Sequence, residues 1–296
     1  MPRGTSDRTG LRLQQRCIDI LATLGHVSVL DTTTIHQRWW PGKSFEACRS
    51  KLRLYQQHGL IQTLHLELTS TTRSGRLPAV HRLTDRGADV VESTTGERPP
   101  RTAKSSPPSP FTLLHRIGMA RVVLNIDDAC RLHPLPLPKW LLEYDPQPNA
   151  RPGGTFAERF RLRFDIATDH GTASCWPDAA CRLTCVQNER QWNLALLFEY
   201  DRGTETLNQV AGKMTGYAAL LKTQAYQQLW PDVQAARIMF IVPCHRRRTN
   251  VAEALRDLAA ASSVRLAAEE DLSPDQILND PVWWSVQNEP RAILKN

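Results

Sequence analysis

The sequence predicts an α+β protein of two domains, a helical N-terminal domain and a C-terminal domain built on a mixed central sheet. With 296 residues, the chain is long enough for about two domains. Ser93–Pro110 contains five prolines and few apolar residues, which predicts an extended linker. Helical periodicity dominates before this stretch, whereas helices and strand-like runs alternate after it. The predicted domains are therefore residues 1–92 and 111–296, with the linker at 93–110.

Positive charge is concentrated in the N-terminal third of the chain. Residues 1–104 carry 16 basic and 9 acidic side chains, whereas the rest of the chain carries 21 of each. This asymmetry predicts that a polyanion such as DNA binds the N-terminal domain. A solvated surface that only keeps the protein soluble is the alternative.

Several classes of protein are disfavoured by the absence of their sequence features. No apolar run approaches the roughly 20 residues needed to span a bilayer, and the polar N-terminus lacks the features of a signal peptide. Seven scattered cysteines, an odd number, argue against a disulfide framework. We therefore expect a cytoplasmic protein without a membrane partner. Motifs of ATPases, dinucleotide enzymes and serine hydrolases are also missing.

The N-terminal domain is predicted to contain three helices followed by a two-stranded ribbon. The predicted helices are Leu11–Leu24, Thr32–Trp40 and Phe45–His58, and the strands are Leu60–Leu68 and Ala79–Leu83. A closing helix, Asp85–Val91, follows Thr84 as its cap. This order is typical of a winged helix-turn-helix domain, in which the recognition helix enters the major groove of DNA.

The third helix is the predicted recognition helix, with Phe45 turned inward and basic side chains outward. The ribbon tip would lie along the phosphate backbone or in a minor groove. The cations expected to contact double-stranded DNA are Arg49, Lys51 and Arg53 of the helix, and Arg73 and Arg76 of the tip. A winged helix used for protein contact is the alternative, and pairing into a homodimer is a further expectation.

The C-terminal domain alternates predicted helices and strands, which indicates a mixed sheet flanked by helices. The predicted strands are Trp140–Tyr144, Phe160–Ile166, Cys175–Cys185, Trp192–Tyr200, Ala236–Val242 and Val264–Ala268. The predicted helices are Phe111–Leu132, Thr204–Leu221 and Val251–Ala261. His245–Arg248 is expected to be a solvated loop, with phosphate binding after the buried strand as the alternative.

Acidic residues gather at the ends of two of these strands. Glu199 and Asp201 are two positions apart and project to one side of their strand, and Asp178 on the neighbouring strand can meet them. Asp165 is a further candidate. Converging carboxylates repel one another unless a cation joins them, and their oxygens suit Mg²⁺ or Mn²⁺. Such a site can activate water for phosphodiester cleavage. The alternative is a set of ordinary surface acids at strand ends.

The pattern Pro177-Asp178 followed by Glu199-Tyr200-Asp201 resembles the core of the PD-(D/E)xK nucleases. The resemblance implies a nuclease-like α/β domain in which Asp178 and Glu199 hold the metal. Asp201 stands where the family has its lysine. Lys213, on the following helix, is the candidate for a relocated lysine that stabilises charge.

A longer run, LFEYDRGTETLNQVAGKMTGYAALL from Leu197 to Leu221, resembles the replication-relaxation family of bacterial plasmids and other mobile elements. The preceding WPDA segment, an early helix with His115 and Asn125-Ile126-Asp127, and the LTDRG segment after the ribbon resemble it too, so that the likeness extends roughly from Leu11 to Val242. It implies a DNA-binding protein of a mobile genetic element that acts in plasmid replication, relaxation or mobilisation. Other replication or mobilisation proteins would then be partners.

Three functional hypotheses remain open from the sequence. The first is a DNA-binding protein whose nuclease-like domain acts on DNA or holds partners without necessarily cutting. The second is a Mg²⁺- or Mn²⁺-dependent DNA endonuclease or nickase, with Asp178, Glu199 and Asp201 as ligands and Lys213 as charge stabiliser. The third is a non-catalytic winged-helix regulator or assembly protein, which needs no cofactor.

Overall fold

The computed structural model describes residues 13–66, 77–104, 106–151, 153–187 and 190–294. These residues form a mixed α+β structure with eight α-helices and a multi-stranded mixed sheet. The chain divides into two compact units, Met1–Val123 and Leu124–Asn296. None of the described helices combines the length and apolar character needed to cross a membrane.

The first unit consists of helices around a small antiparallel sheet. Its helices are α1 (Gln15–Val27), α2 (Thr32–Trp39), α3 (Phe45–Gln57), α4 (Asp85–Thr95) and the first half of α5 (Pro110–Leu132). Its strands are β1 (Leu30–Asp31), β2 (Ile61–Leu64) and β3 (Val80–Leu83), in the order β1-β3-β2. Ser44 and Thr84 begin α3 and α4 by accepting hydrogen bonds from backbone N–H groups of the first turn, which is the usual way these residues start a helix.

Helix α3 buries one side against the first unit. Cys48, Leu52 and Tyr55 recur at the spacing of one helical face and are all buried. The expectation that Phe45 points inward is wrong, since 42% of this residue is exposed. Phe45 is the first residue of α3, and its ring lies edge-on to that of His36, with the centroids 5.2 Å apart.

The first part of the proline-rich segment after α4 is hydrogen-bonded to earlier elements, which an extended spacer would not be. Helix α4 continues to Thr95, and Gly96 ends it in a left-handed conformation. Beyond the helix, Ala103 N–H donates a hydrogen bond to the Leu83 carbonyl, 2.6 Å away, and the Arg101 guanidinium donates to the His26 carbonyl. This part of the segment is therefore bonded to the first unit.

The second unit is built on a seven-stranded sheet in the order β12-β11-β10-β9-β8-β7-β4. The sheet strands are β4 (Lys139–Leu142), β7 (Ala179–Gln187), β8 (Arg190–Tyr200), β9 (Ala235–Val242), β10 (Val264–Ala268), β11 (Trp283–Trp284) and β12 (Pro290–Arg291). A separate hairpin contains β5 (Phe164–Thr168) and β6 (Gly171–Cys175), and the helices are the second half of α5, α6 (Phe156–Arg159), α7 (Leu207–Lys222) and α8 (His245–Leu255). Strands β8, β9 and β10 are parallel, and the other neighbours in the sheet are antiparallel.

Two predicted strands of the second unit begin four residues later in the structure than expected. The run Cys175–Cys185 is split, because Cys175 ends β6 of the hairpin and β7 of the sheet begins at Ala179. Pro177 lies in the break, where it has no N–H to donate to a neighbouring strand. The strand predicted from Phe160 instead begins at Phe164, after the short helix α6.

Helices α7 and α8 cover one face of the central sheet. Along β8 and β9, Leu197, Ile238 and Phe240 face these helices in a shared apolar core. Helix α7 also lies close to the β5–β6 hairpin. The approach is so close that a Cβ atom added at Gly216 would lie only 2.1 Å from the Ser174 carbonyl oxygen. This contact packs α7 closely against β6 of the hairpin.

Candidate functional site

Glu199 is the central residue of the candidate site in the second unit. It is the penultimate residue of β8, faces α7 and is only 2% exposed. Its carboxylate accepts hydrogen bonds from Lys213 Nζ at 2.8 Å and from the Tyr217 hydroxyl at 2.5 Å. Lys213 and Tyr217 are four residues apart on α7 and thus share one face of that helix.

Glu199 changes between its neutral and ionised forms near neutral pH. Burial raises its pKa to about 7, and the negative charge of Asp178 contributes in the same direction. Lys213 and Tyr217 partly offset this rise by stabilising the ionised carboxylate. Burial alone would lower the pKa of Lys213, but Glu199 and Asp178 raise it above the usual value for a lysine, so the ammonium remains charged.

Lys213 also joins Glu199 to the loop between β8 and α7. Its ammonium lies 2.9 Å from Glu205 Oε2, so it bridges two carboxylates. Helix α7 begins after this loop, where Thr206 and Gln209 form a reciprocal capping box. The cap fixes the start of α7 and, two turns later, the position of Lys213.

Asp178 lies immediately before β7, opposite the end of β8. Its backbone N–H donates to the Phe198 carbonyl at 2.9 Å, and its side chain accepts from the Tyr200 N–H at 2.7 Å. These bonds on either side of Glu199 hold the Asp178 carboxylate beside the strand end. The structure thus brings together Asp178, Glu199 and Lys213 of the predicted site.

Asp201 belongs to a neighbouring ion pair. Its carboxylate accepts from the Gly203 N–H at 2.6 Å and from Arg247 Nε at 2.7 Å, and its side chain is almost fully buried. Arg247 is held in turn by the Glu205 carbonyl at 2.7 Å. Asp201 is therefore bonded to α8, whereas Glu199 is bonded to α7.

Asp165 lies in the β5–β6 hairpin and has its own partners. Its carboxylate accepts a hydrogen bond from Ser174 Oγ at 2.6 Å and forms an ion pair with Arg163 at 3.2 Å. No contact in the described part of the chain links it to Glu199, so the structure does not bring Asp165 into this cluster.

The predicted DNA-contacting residues of α3 divide between two sides of the helix. Arg49 and Arg53 are one turn apart on its exposed side, and both form ion pairs with Glu46. Lys51 is also exposed, but it lies half a turn away from both arginines. The structure therefore groups Arg49 with Arg53 and places Lys51 on a different flank.

The other two predicted cations belong to the segment between strands β2 and β3. These strands pair from Ile61↔Leu83 to Leu64↔Val80. The tip residues Arg73 and Arg76 lie outside the described residues.

Sequence reasoning assigned no role to Tyr217 or Arg247 in the site. The four-residue spacing of Lys213 and Tyr217 is a signal that both face the same strand. The expectation of a loop at His245–Arg248 is wrong, because α8 begins at His245 and turns Arg247 towards Asp201. No sequence signal identifies that pairing.

Comparison with known proteins gives one family match. The family model described as replication-relaxation matches residues 21–233, a range that includes Asp178, Glu199 and Lys213 and stops before Arg247. No curated protein matches the chain.

Proposed function

Since the chain belongs to the replication-relaxation family, we propose that it is a DNA-binding protein of a mobile genetic element that acts in plasmid replication, relaxation or mobilisation. The observation that carries the DNA-binding part is the geometry of α3. Cys48, Leu52 and Tyr55 anchor this helix in the first unit, while Arg49 and Arg53 project from its exposed side. A rigid helix that presents adjacent guanidinium groups suits contact with phosphates and base edges.

The order of elements around α3 supports a winged helix-turn-helix domain. Helices α2 and α3 follow α1, and the antiparallel β2–β3 ribbon comes immediately afterwards. In such domains the helix at the position of α3 enters the major groove, and the ribbon contacts the flanking backbone. The positive charge of the first third of the sequence favours the same surface.

The ion pairs of α3 do not prevent it from binding DNA. Glu46, Arg49 and Arg53 are all more than half exposed, and exposed pairs of this kind contribute only about 0–1 kcal/mol. Phosphate oxygens can therefore replace Glu46 as the partner of both arginines at low cost.

The test compares charge variants of α3 in a DNA-binding titration at several salt concentrations. Arg53→Glu is expected to abolish retention of double-stranded DNA, because it both removes a cation and adds repulsion. Glu46→Gln should tighten binding, since it releases both arginines, and Arg256→Glu, at the exposed end of α8, is the matched control. Unchanged binding by Arg53→Glu contradicts the proposal.

A second candidate, a Mg²⁺- or Mn²⁺-dependent DNA endonuclease or nickase, is favoured by the contact between Lys213 and Glu199. The antiparallel β7–β8 pair, followed by α7 and the parallel strand β9, has the order expected of a PD-(D/E)xK core. Lys213 comes from α7 and reaches the acidic residue that the nuclease pattern assigns to the metal. Lys213 of α7 would thus take the role of the lysine that the nuclease pattern places at position 201.

The donor set fits a hard divalent cation at Asp178 and Glu199. Burial is the main cause of the raised pKa of Glu199, and the negative charge of Asp178 adds to it, so a cation held by both carboxylates would relieve that repulsion. Asp201 fits less well, because its carboxylate is bonded to Arg247 and to the Gly203 N–H, whereas Asp178 and Glu199 both interact with Lys213. When bound, the metal would activate water and stabilise charge on a phosphodiester. Lys213 would orient the attacking water or stabilise the negative charge that develops on the phosphodiester. Tyr217 would orient Glu199.

The nuclease candidate is tested by incubating supercoiled plasmid with Mg²⁺, with Mn²⁺ and with EDTA, and reading its topology on a gel. Metal-dependent nicking is expected, and Glu199→Gln and Lys213→Gln should lose it while they retain DNA binding. Glu253→Gln, at an exposed position of α8, is the control. Plasmid that is bound but uncut under every condition would exclude this candidate and leave the DNA-binding proposal standing.

A further inference from the structure

A cavity of about 710 Å³ lies on the face of the central sheet opposite the Glu199 site. Along β8 it is lined by Trp192, Leu194 and Leu196, which alternate with the residues that face α7 and α8. Along β9 it is lined by Arg237 and Met239 for the same reason. The cavity is therefore separated from the Glu199 site by the thickness of the sheet.

Three arginines line this cavity from neighbouring parts of the sheet. Arg237, Arg265 and Arg291 come from β9, β10 and β12. Burial lowers the pKa of Arg265, and the positive charges of Arg237 and Arg291 lower it further, so Arg265 lies close enough to both guanidinium groups to be repelled by them.

Two of these arginines, Arg237 and Arg265, are hydrogen-bonded to backbone carbonyls rather than to carboxylates. Arg237 donates to the Ala236 carbonyl at 3.0 Å, and Arg265 donates to the carbonyls of Ser262 at 3.0 Å and Val264 at 2.7 Å. Within the described residues neither forms a salt bridge.

The acidic residues near the cavity leave this excess of positive charge in place. Arg291 has a carboxylate partner, Glu289, but both side chains of that pair are exposed. Asp280 also lines the cavity, yet it makes no salt bridge with any of the three arginines. Partly buried like charges are costly, and an anion would remove that cost.

The rest of the lining is apolar and offers a partly exposed aromatic ring. Leu194, Leu196 and Met239 are buried side chains, and the indole of Trp192 is partly accessible. A concave apolar surface with a few convergent polar groups is typical of a small-molecule site. The matching ligand combines an anionic group with a flat apolar body.

We propose that this cavity binds a free nucleoside phosphate. The phosphates contact Arg237, Arg265 and Arg291, and the base lies against the partly exposed ring of Trp192. Arginine suits this role because its planar guanidinium donates in pairs to phosphate oxygens. The site is independent of DNA binding by α3 and of cleavage at Glu199.

The experiment is isothermal titration of the full chain with ATP, with adenosine and with inorganic triphosphate. Saturable binding of ATP is expected, with weaker binding of adenosine and triphosphate, since each contains half of the ligand. Arg237→Gln and Arg265→Gln should each raise the Kd for ATP by about tenfold or more, as expected when a hydrogen bond to a charged group is lost. Arg256→Gln, which removes the same charge outside the cavity, should leave the Kd unchanged.

Thermal unfolding of the same variants shows whether they fold. Arg237→Gln and Arg265→Gln should unfold near the temperature of the parent protein, since both arginines donate only to backbone carbonyls among the described residues. No saturable ATP binding by the parent protein overturns the proposal. It is also overturned if the Kd does not change in the two cavity variants, or if triphosphate alone binds as tightly as ATP. Glu199→Gln should bind ATP normally, which separates this site from the nuclease candidate.

Discussion

Replacing Tyr217 with phenylalanine tests how the buried carboxylate of Glu199 is stabilised. The substitution removes one hydroxyl, which donates a 2.5 Å hydrogen bond to Glu199 in a fully buried position. At pH 8.5 the carboxylate is mostly ionised, because its pKa is about 7. The loss of a donor to a charged acceptor is then expected to lower the free energy of unfolding by about 2–3 kcal/mol. At pH 5.5 the acceptor is neutral, and the expected cost falls to about 1 kcal/mol.

The pH dependence of the parent protein gives the sign of this effect. Folding raises the pKa of Glu199 from its usual value near 4.5 to about 7, so the folded state binds more protons than the unfolded state between these values. The stability from this group is complete below about pH 4.5 and falls by about 3 kcal/mol as the pH rises to about 7. Tyr217 lowers the folded pKa, and its removal extends this loss of stability to higher pH.

The assay is urea denaturation of both proteins at several pH values in buffer containing EDTA. Tyr226→Phe is the matched control, since Tyr226 is also buried but its hydroxyl donates to none of the described residues. The control should change stability little at any pH. The reasoning is refuted if Tyr217→Phe costs no more than Tyr226→Phe, or if its cost is the same at pH 5.5 and pH 8.5.

Two further changes test the packing around the site. Arg247→Gln should lower the free energy of unfolding by about 3–5 kcal/mol in chemical denaturation, because it leaves the buried Asp201 without its cation. The double variant with Asp201→Asn added should recover part of that loss. If the free energies lost in the two single variants simply add in the double variant, Arg247 and Asp201 do not interact directly. Gly216→Ala should lower the melting temperature, since its Cβ would lie 2.1 Å from the Ser174 carbonyl oxygen. Gly212→Ala, on the same helix in open space, should instead stabilise the protein by about 0.5–1 kcal/mol, and equal effects of the two alanines would refute the packing argument.

The existence and type of most elements could be predicted from local patterns. The apolar spacing of α1 and α3, and the capping residues Ser44 and Thr84, act within one or two turns, so the sequence contains the whole signal. The long apolar run of β8 and its acidic end were equally visible. Local patterns do not encode the bounds where two elements adjoin, as at Trp176–Asp178 between β6 and β7.

The candidate site is only partly predictable, because local patterns do not encode contacts between distant elements. Alternation along a strand indicates that Glu199 and Asp201 project to one side, and the structure agrees, since their partners lie on two helices of the same face. Which cation each acid meets depends on how α7 and α8 pack against the sheet. The pairing of Asp201 with Arg247 is such a contact between residues 46 positions apart, and no local pattern encodes it.

The sequence by itself determined the class of the protein, the main helices and strands, the basic character of the first third of the chain, and the acids at the strand ends. These features follow from composition and short-range periodicity, which fix the conformation of a segment and the side it buries. Only the tertiary structure decided that Lys213 and Tyr217 hold Glu199, that Arg247 neutralises Asp201, and that three arginines from separate strands share one cavity. Such contacts arise because the packing of helices on a sheet brings distant residues within hydrogen-bonding range. In a buried environment those distances set both the charge state of each group and what it can bind.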